Sequence, residues 1–267
     1  MESDTLTPRK IREIILDQSK RAHMGHIGPA LSIADIIAAL YGGILRIPAP
    51  DDPQRDRFVL SKGHAALALY AALYLRGFIS REQLCTFCTD GTMLGVHPEH
   101  AVSGIDFSTG SLGHGLSYAA GAALAARLQH SPRRIFALVS DAECNEGSLW
   151  EAAMFAAHHR LSALTAIVDA NGQQALGQTA AVLDLEPLAD KWQAFGWRAV
   201  EVDGHDLGAL NFAFAEVEKD RTGPCVIIAR TSCGKGVSFM ERQVKWHYLP
   251  MTDEEYARAR AELKAQS

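Results

Sequence analysis

The chain has 267 residues, 48% of them hydrophobic, and a formal net charge of -5 at pH 7. This size and apolar content allow a large buried core, which excludes disordered and fibrous proteins. The acidic balance, without a clustered face of Lys and Arg, argues against nucleic acids and anionic membranes as partners. We therefore expect small molecules or other proteins as partners.

The amino-terminal segment is charged from Glu2 to Arg12, and no apolar stretch approaches membrane-spanning length. A soluble, cytoplasmic protein is therefore expected. The five cysteines include one Cys-x-x-Cys pair, Cys85 and Cys88, without a second pair or a histidine at zinc-finger spacing. We interpret the thiols as reduced packing residues, and a redox or zinc role for the pair is the alternative.

Two amphipathic helices are predicted at the beginning of the chain. Thr7 and Pro8 have the pattern of a helix start, and Ser32 with Asp35 has the pattern of a capping box that begins the second helix.

From residue 58 onward, short apolar runs alternate with helix-like segments, which is typical of a buried parallel sheet with crossover helices. The predicted strands are Phe58 to Leu60, Ile135 to Val139, Leu164 to Val168, Ala199 to Val202 and Cys225 to Ala229. The predicted helices are Ala65 to Arg76, Leu116 to Leu128, Ser148 to His159, Leu207 to Lys219, and a last one capped by Thr252 and Glu255 that reaches Lys264. Residues 1–267 are predicted to form one α/β domain, a doubly wound, mostly parallel sheet with helices on both faces.

Oxygen-bearing side chains follow two of these strands. Ligands of a parallel α/β sheet bind beyond the carboxyl ends of its strands, where Asp141 and Asn171 stand. A hard cation such as Mg2+ takes one or two carboxylates and completes its shell with other oxygens. Asp141, the amide of Asn171 and the backbone carbonyl of Gln173 are therefore candidate metal ligands. A helix cap at Asp141 and a turn at Asn171 are the alternatives.

Glycine-marked loops supply the other candidates. The segment Gly110-Ser-Leu-Gly-His-Gly115 precedes an Ala-rich helix, where glycines allow an anion or an aromatic ring to approach the backbone. Alone, it indicates no more than a tight turn. Four histidines stand in similar loops and favour a polar substrate channel, because imidazole can donate, accept or carry protons near neutral pH. They are His26, His64, His97 and His247.

These motifs together resemble the transketolase family of thiamine-diphosphate enzymes. Asp141 and Asn171 resemble the family's G-D-G…N pattern, with Ser140 and Ala142 in place of its glycines. The segment beginning at Gly110 is similar to T-G-P-L-G-Q-G.

The histidine loops resemble the same family along nearly the whole chain. Ala22-His-Met-Gly-His-Ile-Gly28 is similar to A-N-S-G-H-P-G, and Leu60-Ser-Lys-Gly-His64 to L-S-x-G-H. Gly95-Val-His-Pro-Glu99 is similar to G-H-P-E with one inserted residue. His247 lies in a segment similar to the closing segment of the domain, with Tyr248 where glycine is usual.

The resemblance implies thiamine diphosphate with Mg2+, or Ca2+ or Mn2+, as cofactors. His26 and His97 would bind hydroxyls of the donor sugar, and His64 and His247 would lie between substrate and diphosphate. Glu146 would hydrogen-bond the catalytic glutamate of an opposing domain; a helix-dipole role is the alternative. The implied cofactor-binding residues are His64, Gly110, Ser111, Leu112, Asp141, Ala142, Glu146, Asn171 and His247.

A complete transketolase continues into a pyrimidine-binding and a C-terminal domain, whereas this sequence stops where the first domain would end. The resemblance implies the small subunit of a two-chain transketolase that transfers a two-carbon ketol unit from a ketose, expected to be phosphorylated, to an aldose. Its partner would be a C-terminal subunit, in a heterotetramer with two copies of each chain. The alternatives are another thiamine-diphosphate lyase or ligase component, of acyloin synthase or ketoacid dehydrogenase type, and a non-catalytic regulatory relative.

Overall fold

The computed structural model describes residues 5–266, so residues 2–4 of the charged amino-terminal segment lie outside the described part. Five parallel strands form the main sheet in the order β1-β2-β3-β7-β6. A short antiparallel hairpin, β4 and β5, follows β3. The strands are β1 Arg57–Leu60, β2 Ile135–Ser140, β3 Leu164–Ala170, β4 Gln173–Gln174, β5 Gly177–Gln178, β6 Arg198–Asp203 and β7 Cys225–Arg230.

Helices connect the parallel strands and flank them at both ends of the chain. The α-helices are α1 Pro8–Ala22, α2 Ile27–Ser32, α3 Ala34–Ala39, α4 Ala66–Leu75, α5 Arg81–Leu84, α6 Gly115–Leu128, α7 Gly147–His158, α8 Thr179–Val182, α9 Leu188–Ala194, α10 Leu207–Lys219, α11 Lys245–Tyr248 and α12 Asp253–Ala265. A π-helical turn covers Leu40–Ile44, and 3-10 turns cover Gly63–Ala65 and Ala142–Asn145.

Each face of the sheet has its own hydrophobic core, because successive strand side chains point to opposite faces. Phe136 and Ile167 pack with residues of α1 to α4, α10 and α12. Ala137 and Val168 pack with residues of α6, α7 and α9 on the other face. Burial of one large apolar side chain contributes about 1.5–3 kcal/mol to the free energy of unfolding. The two cores therefore stabilise the packing of the helices on both faces of the sheet. The predicted doubly wound, parallel α/β fold is confirmed, as are its five strands.

The predicted start of the second helix is wrong. Ser32 is the last residue of α2, and α2 and α3 are two short, fully buried helices instead of one amphipathic helix. Ser32 Oγ donates to Asp169 Oδ1 (2.7 Å), and Asp35 pairs with Arg12 and with His205 Nδ1 (2.7 Å). Tertiary partners therefore take the oxygens that the sequence pattern assigns to a helix cap.

The outer helix caps are as predicted. The Thr7 side chain accepts from the Lys10 amide at the start of α1, and Thr252 and Glu255 form a capping box at the start of α12. Within residues 5–266, no helix is both long enough and apolar enough to cross a membrane.

The cysteines are all free, and three of them pack as predicted. Cys144, Cys225 and Cys233 are buried. Cys85, by contrast, is exposed at the end of α5, and Cys88 is half-buried. The packing interpretation is therefore wrong for Cys85.

Candidate active site

The carboxyl ends of β1, β2, β3 and β7 open onto a cavity of about 380 Å³, which we call the main cavity. Most of the predicted site residues line it: His26, His64, His97, Gly110, Leu112, Ala142, Glu146, Asn171, Gln173 and His247. Ser111 is exposed and lies outside its lining, and Asp141 lines a smaller adjoining cavity of about 150 Å³. Residues far apart in the sequence thus converge at the sheet edge where parallel α/β proteins bind ligands.

Asp141 and Asn171 each bind a backbone amide of the segment that follows β3. Asp141 Oδ2 accepts from the Gly172 amide (2.8 Å), and its Oδ1 accepts from the Ala142 amide (2.8 Å). Asn171 Oδ1 accepts from the Gln173 amide (2.9 Å). Asp141 Oδ2 also accepts from Thr179 Oγ1 (3.3 Å), whereas Asp141 Oδ1 and Asn171 Oδ1 each have a second lone pair. The helix-cap and turn roles of these side chains are therefore compatible with metal binding through those two oxygens.

The charges and the unpaired atoms of this region fit a bound cation. Burial, together with the nearby Asp169 carboxylate, raises the pKa of Asp141 to about 7. Gln173 Oε1 is buried and has no hydrogen-bond partner among the described residues. Within residues 5–266, no group of three or more His, Cys, Asp or Glu side chains could hold a metal ion. A cation at Asp141 would therefore take its other oxygens from amides, carbonyls and a bound ligand, as Mg2+ commonly does.

The two residues that replace the family's glycines adopt ordinary backbone conformations. Ser140 ends β2, and Ala142 begins a 3-10 turn. Ser140 Oγ accepts from the Glu143 amide (3.2 Å), so the added hydroxyl has a local partner. The fold thus accommodates both side chains without the left-handed conformation that favours glycine.

The glycine segment is packed tightly against the cavity wall. Gly113 has φ +82°, and a Cβ there would lie 2.6 Å from Glu146 Cβ. A Cβ on Gly110 would lie 3.3 Å from the His97 ring. Glycine is therefore required at position 113 by both backbone and space, and the segment brings its backbone next to Glu146 and His97.

Three of the predicted histidines form a cluster. The ring centroids of His26 and His64 lie 5.5 Å apart, those of His26 and His247 5.4 Å, and those of His64 and His247 5.2 Å. Burial, together with the charges of neighbouring side chains, lowers the pKa of all three, that of His247 to about 4. The rings are therefore neutral at pH 7, when each can donate one hydrogen bond and accept another.

We expect this cluster to make the folded chain sensitive to acid. Because the folded-state pKa of His247 lies below the ordinary value of about 6.5, its contribution to stability is complete above pH 6.5 and is lost as the pH falls toward 4. His247→Asn should therefore reduce the loss of unfolding free energy between pH 7 and pH 5 by about 1 kcal/mol, after allowance for its partial exposure. Urea unfolding at both pH values measures this.

The exposed residue His130, which lies after α6, offers a control. His130→Asn should leave the pH dependence of stability as it is in the unmodified chain. An equal effect of both substitutions would contradict the assignment to the cluster.

Two acidic residues of the loop after β2, Glu143 and Glu146, differ in their exposure to solvent. Glu146 is exposed at the cavity rim, where it immediately precedes α7. Glu143, which the sequence analysis missed, is fully buried and accepts from Ser61 Oγ, from the Gly113 amide (2.8 Å) and from the Ser140 amide (2.8 Å). Glu143 therefore connects three segments of the cavity wall by hydrogen bonds, while Glu146 faces outward.

The sequence analysis also missed a buried ion pair beside the cavity. Lys62 Nζ lies 2.5 Å from Asp169 Oδ2, and both side chains are almost completely buried. His205, which lies outside the lining of the main cavity, has a structural role: its Nε2 accepts from the Ser232 amide (2.8 Å), and its Nδ1 contacts Asp35. The ion pair had no local sequence signal, because its members belong to segments that are far apart along the chain.

Comparison with known proteins identifies this arrangement. A family model described as the transketolase thiamine diphosphate binding domain matches residues 3–266. The chain belongs to the transketolase family. The transketolase of Campylobacter jejuni has the same fold, with a TM-score of 0.91 and 30% sequence identity over 96% of this chain and 42% of that one. The chain therefore spans about two fifths of the length of that transketolase.

Separate transketolase subunits match along nearly their full lengths. The 6-deoxy-6-sulfo-D-fructose transketolase subunit of Clostridium sp. (strain MSTE9) is 43% identical over 257 residues, which are 95% of this chain and 94% of that protein. An apulose-4-phosphate transketolase subunit of Phocaeicola vulgatus is 40% identical over 261 residues, 97% and 93% of the two chains. The prediction of a thiamine-diphosphate-binding transketolase subunit is confirmed at the level of family, fold and subunit type.

Proposed function

We propose that this chain binds thiamine diphosphate and Mg2+ at the main cavity and, with a separate pyrimidine-domain subunit, transfers a two-carbon ketol unit from a ketose to an aldose. The observation that carries the proposal is the convergence of the histidine cluster with Asp141 and Asn171 at the carboxyl edge of one transketolase-type sheet. The match to separately encoded subunits supports the two-chain form.

Each group of residues in the cavity has a distinct task. Asp141, Asn171 and the Gln173 carbonyl would hold the cation and thereby the diphosphate, while the glycine segment would face the rings of the cofactor. Bound thiamine diphosphate supplies the electron sink for breaking and making the carbon–carbon bond. The neutral imidazoles of His64 and His247 can take up or release protons beside the substrate, and exclusion of water by the partner would strengthen these hydrogen bonds.

His26 and His97 are proposed to bind hydroxyl groups of the donor sugar. Both line the cavity, and His97 is exposed toward its mouth. We expect His26→Ala and His97→Ala each to lower kcat/KM for ketol transfer by about 10- to 100-fold, since leaving a sugar hydroxyl without its partner in a desolvated site costs about 1–3 kcal/mol. The dissociation constant of thiamine diphosphate should change by less than about threefold. Steady-state kinetics at saturating cofactor, with calorimetry of cofactor binding, separates the two effects.

His100 provides the control for this experiment. It is exposed in the same loop as His97, and its ring contacts Ser108 Oγ (3.1 Å). His100→Ala should keep normal kinetics. Normal turnover and KM in both the His26 and His97 variants would show that these residues are not substrate ligands.

The partner and substrate classes follow from the relatives. Two of them are named for a sulfonated and a phosphorylated sugar, so we propose a sugar substrate that carries an anionic group. The proposed assembly is a heterotetramer with two copies of this chain and two of the pyrimidine-domain subunit. The cytoplasmic location stays a prediction from the sequence.

A further inference from the structure

The side-chain amide of Asn171 can coordinate a cation only if its oxygen, and not its nitrogen, faces the metal position. An amide oxygen and an amide nitrogen have nearly the same shape, so packing alone orients such a group weakly. In this structure the nitrogen has a defined partner: Asn171 Nδ2 donates to Asp169 Oδ2 (2.8 Å). A carboxylate only accepts hydrogen bonds, so this contact leaves the opposite atom, Oδ1, facing the Gln173 amide, next in the chain to the Gly172 amide that binds Asp141.

The carboxylate of Asp169 is itself fixed from both sides. Its Oδ1 accepts from Ser32 Oγ (2.7 Å) and from Thr231 Oγ1 (2.5 Å). Its Oδ2 accepts from Lys62 Nζ (2.5 Å) as well as from Asn171. Asp169 is completely buried near the end of β3, opposite Ser140 of β2 and Ala229 of β7. These donors come from four different segments, so the carboxylate has one available orientation.

We propose that Asp169 is a positioning residue for the metal site: it accepts from the Asn171 amide nitrogen and so presents the amide oxygen to the cation. Lys62 neutralises this second carboxylate, which would otherwise lie unpaired and buried near Asp141. The inference rests on the proposed metal-binding role of Asn171. Residues that orient metal ligands in this way change metal affinity by about 10- to 100-fold when they are removed.

The test replaces the ion pair by apolar groups of similar volume, an exchange that buried ion pairs often tolerate without loss of stability. In Lys62→Met/Asp169→Leu the amide nitrogen of Asn171 loses its 2.8 Å contact with Asp169 and keeps only the longer one to Ser32 Oγ (3.4 Å), so the amide is oriented less firmly. In Lys62→Met/Asp169→Asn an oxygen acceptor is kept while both charges are removed. The apparent Kd of Mn2+ at saturating thiamine diphosphate, measured by EPR of free Mn2+ on the reconstituted two-chain complex, is the readout, with thermal unfolding measured alongside.

We expect the apparent Kd of Mn2+ to rise about 10- to 100-fold in the leucine double variant and less than about fivefold in the asparagine double variant. An affinity within twofold of the unmodified complex in the leucine variant would overturn the proposal. Equal losses in both double variants would also overturn it, since charge and not the acceptor would then decide metal binding. If the leucine variant does not fold, Lys62→Met/Asp169→Val decides, because it also removes the carboxylate oxygen that accepts from Asn171 Nδ2; an affinity within twofold would again contradict the proposal.

Two controls separate this inference from the proposed function. Asp56 is also fully buried and paired with arginines, but it lies just before β1, at the opposite end of the strands. Asp56→Asn should destabilise the chain and leave Mn2+ affinity unchanged. Asn171→Ala tests the metal site itself. If this variant binds Mn2+ normally, the proposed site is wrong. If it binds Mn2+ weakly while the leucine double variant binds normally, only the proposed role of Asp169 is wrong.

Discussion

The purified chain alone is expected to show no cofactor-dependent ketol transfer, and activity is expected only after a pyrimidine-domain subunit is added. The main cavity is open, and Glu146 and Leu112 at its rim are exposed. The resemblance to transketolases assigns the glutamate that activates the cofactor to the opposing domain. Two-carbon transfer from a ketose phosphate, measured with this chain, with its partner and with the mixture, tests the expectation. Robust turnover by this chain alone, or full activity of the partner without it, would contradict the two-chain proposal.

Assembly and cofactor binding should depend on each other in the same experiment. If the cofactor binds only the assembled state, its presence at about 100 times its Kd adds roughly 2.7 kcal/mol to the stability of the complex. Sedimentation of the mixture with and without thiamine diphosphate and Mg2+ measures this linkage.

Glu146 links the two chains in this proposal. Glu146→Ala should lower turnover of the complex by about 10- to 100-fold, because a hydrogen bond from a protonated carboxyl group to a carboxylate contributes about 1.5–3 kcal/mol. Glu151 is exposed further along α7, and Glu151→Ala is the matched control. Equal activity of both variants would mean that Glu146 only interacts with the dipole of α7 and makes no contact with the partner that matters for turnover.

The sequence was sufficient to predict the sheet because four of its five strands, β1, β2, β3 and β7, are buried on both faces, while β6 at the edge is only partly buried. Runs such as Ile135 to Val139 and Cys225 to Ala229 are continuously apolar, so they carry no alternating pattern, and their short length identifies them as buried strands instead of helices. The start of the second helix was mispredicted for a definite reason. Ser32 and Asp35 fit a capping pattern locally, but distant partners, Asp169 and Arg12, compete for their oxygens.

Cavity residues could be predicted where a recognisable motif or spacing marks them, as for the histidine loops and for Asp141 with Asn171, and could not be predicted where no spacing joins the partners. Histidines in glycine-marked loops can be found by inspection, and they do converge. The Lys62–Asp169 pair and the three contacts of Glu143 can be recognised only when the strand order is known. No local spacing in the sequence joins these residues. A buried polar network is therefore the part of this site that required the structure.

The largest effect on cofactor binding is expected from Asp141. It is the buried carboxylate of the proposed metal site, and its hydrogen bonds from the Ala142 and Gly172 amides hold it in place. We expect Asp141→Ala to weaken binding of thiamine diphosphate in the presence of Mg2+ by more than about 100-fold, since loss of residues that only support metal ligands already costs about 10- to 100-fold.

Calorimetry on the assembled two-chain complex, at fixed Mg2+, measures this affinity. Because the substitution also leaves two backbone amides without their acceptor, it should cost stability as well. Glu143→Gln serves as the control: it perturbs a neighbouring buried carboxylate that ties the same loops together, yet it removes no proposed metal ligand. Glu143→Gln should therefore lower thermal stability while changing cofactor affinity much less than Asp141→Ala. Cofactor affinity within about twofold of the unmodified complex in Asp141→Ala would place the metal elsewhere, because a cation that keeps its affinity without this carboxylate is not bound by it.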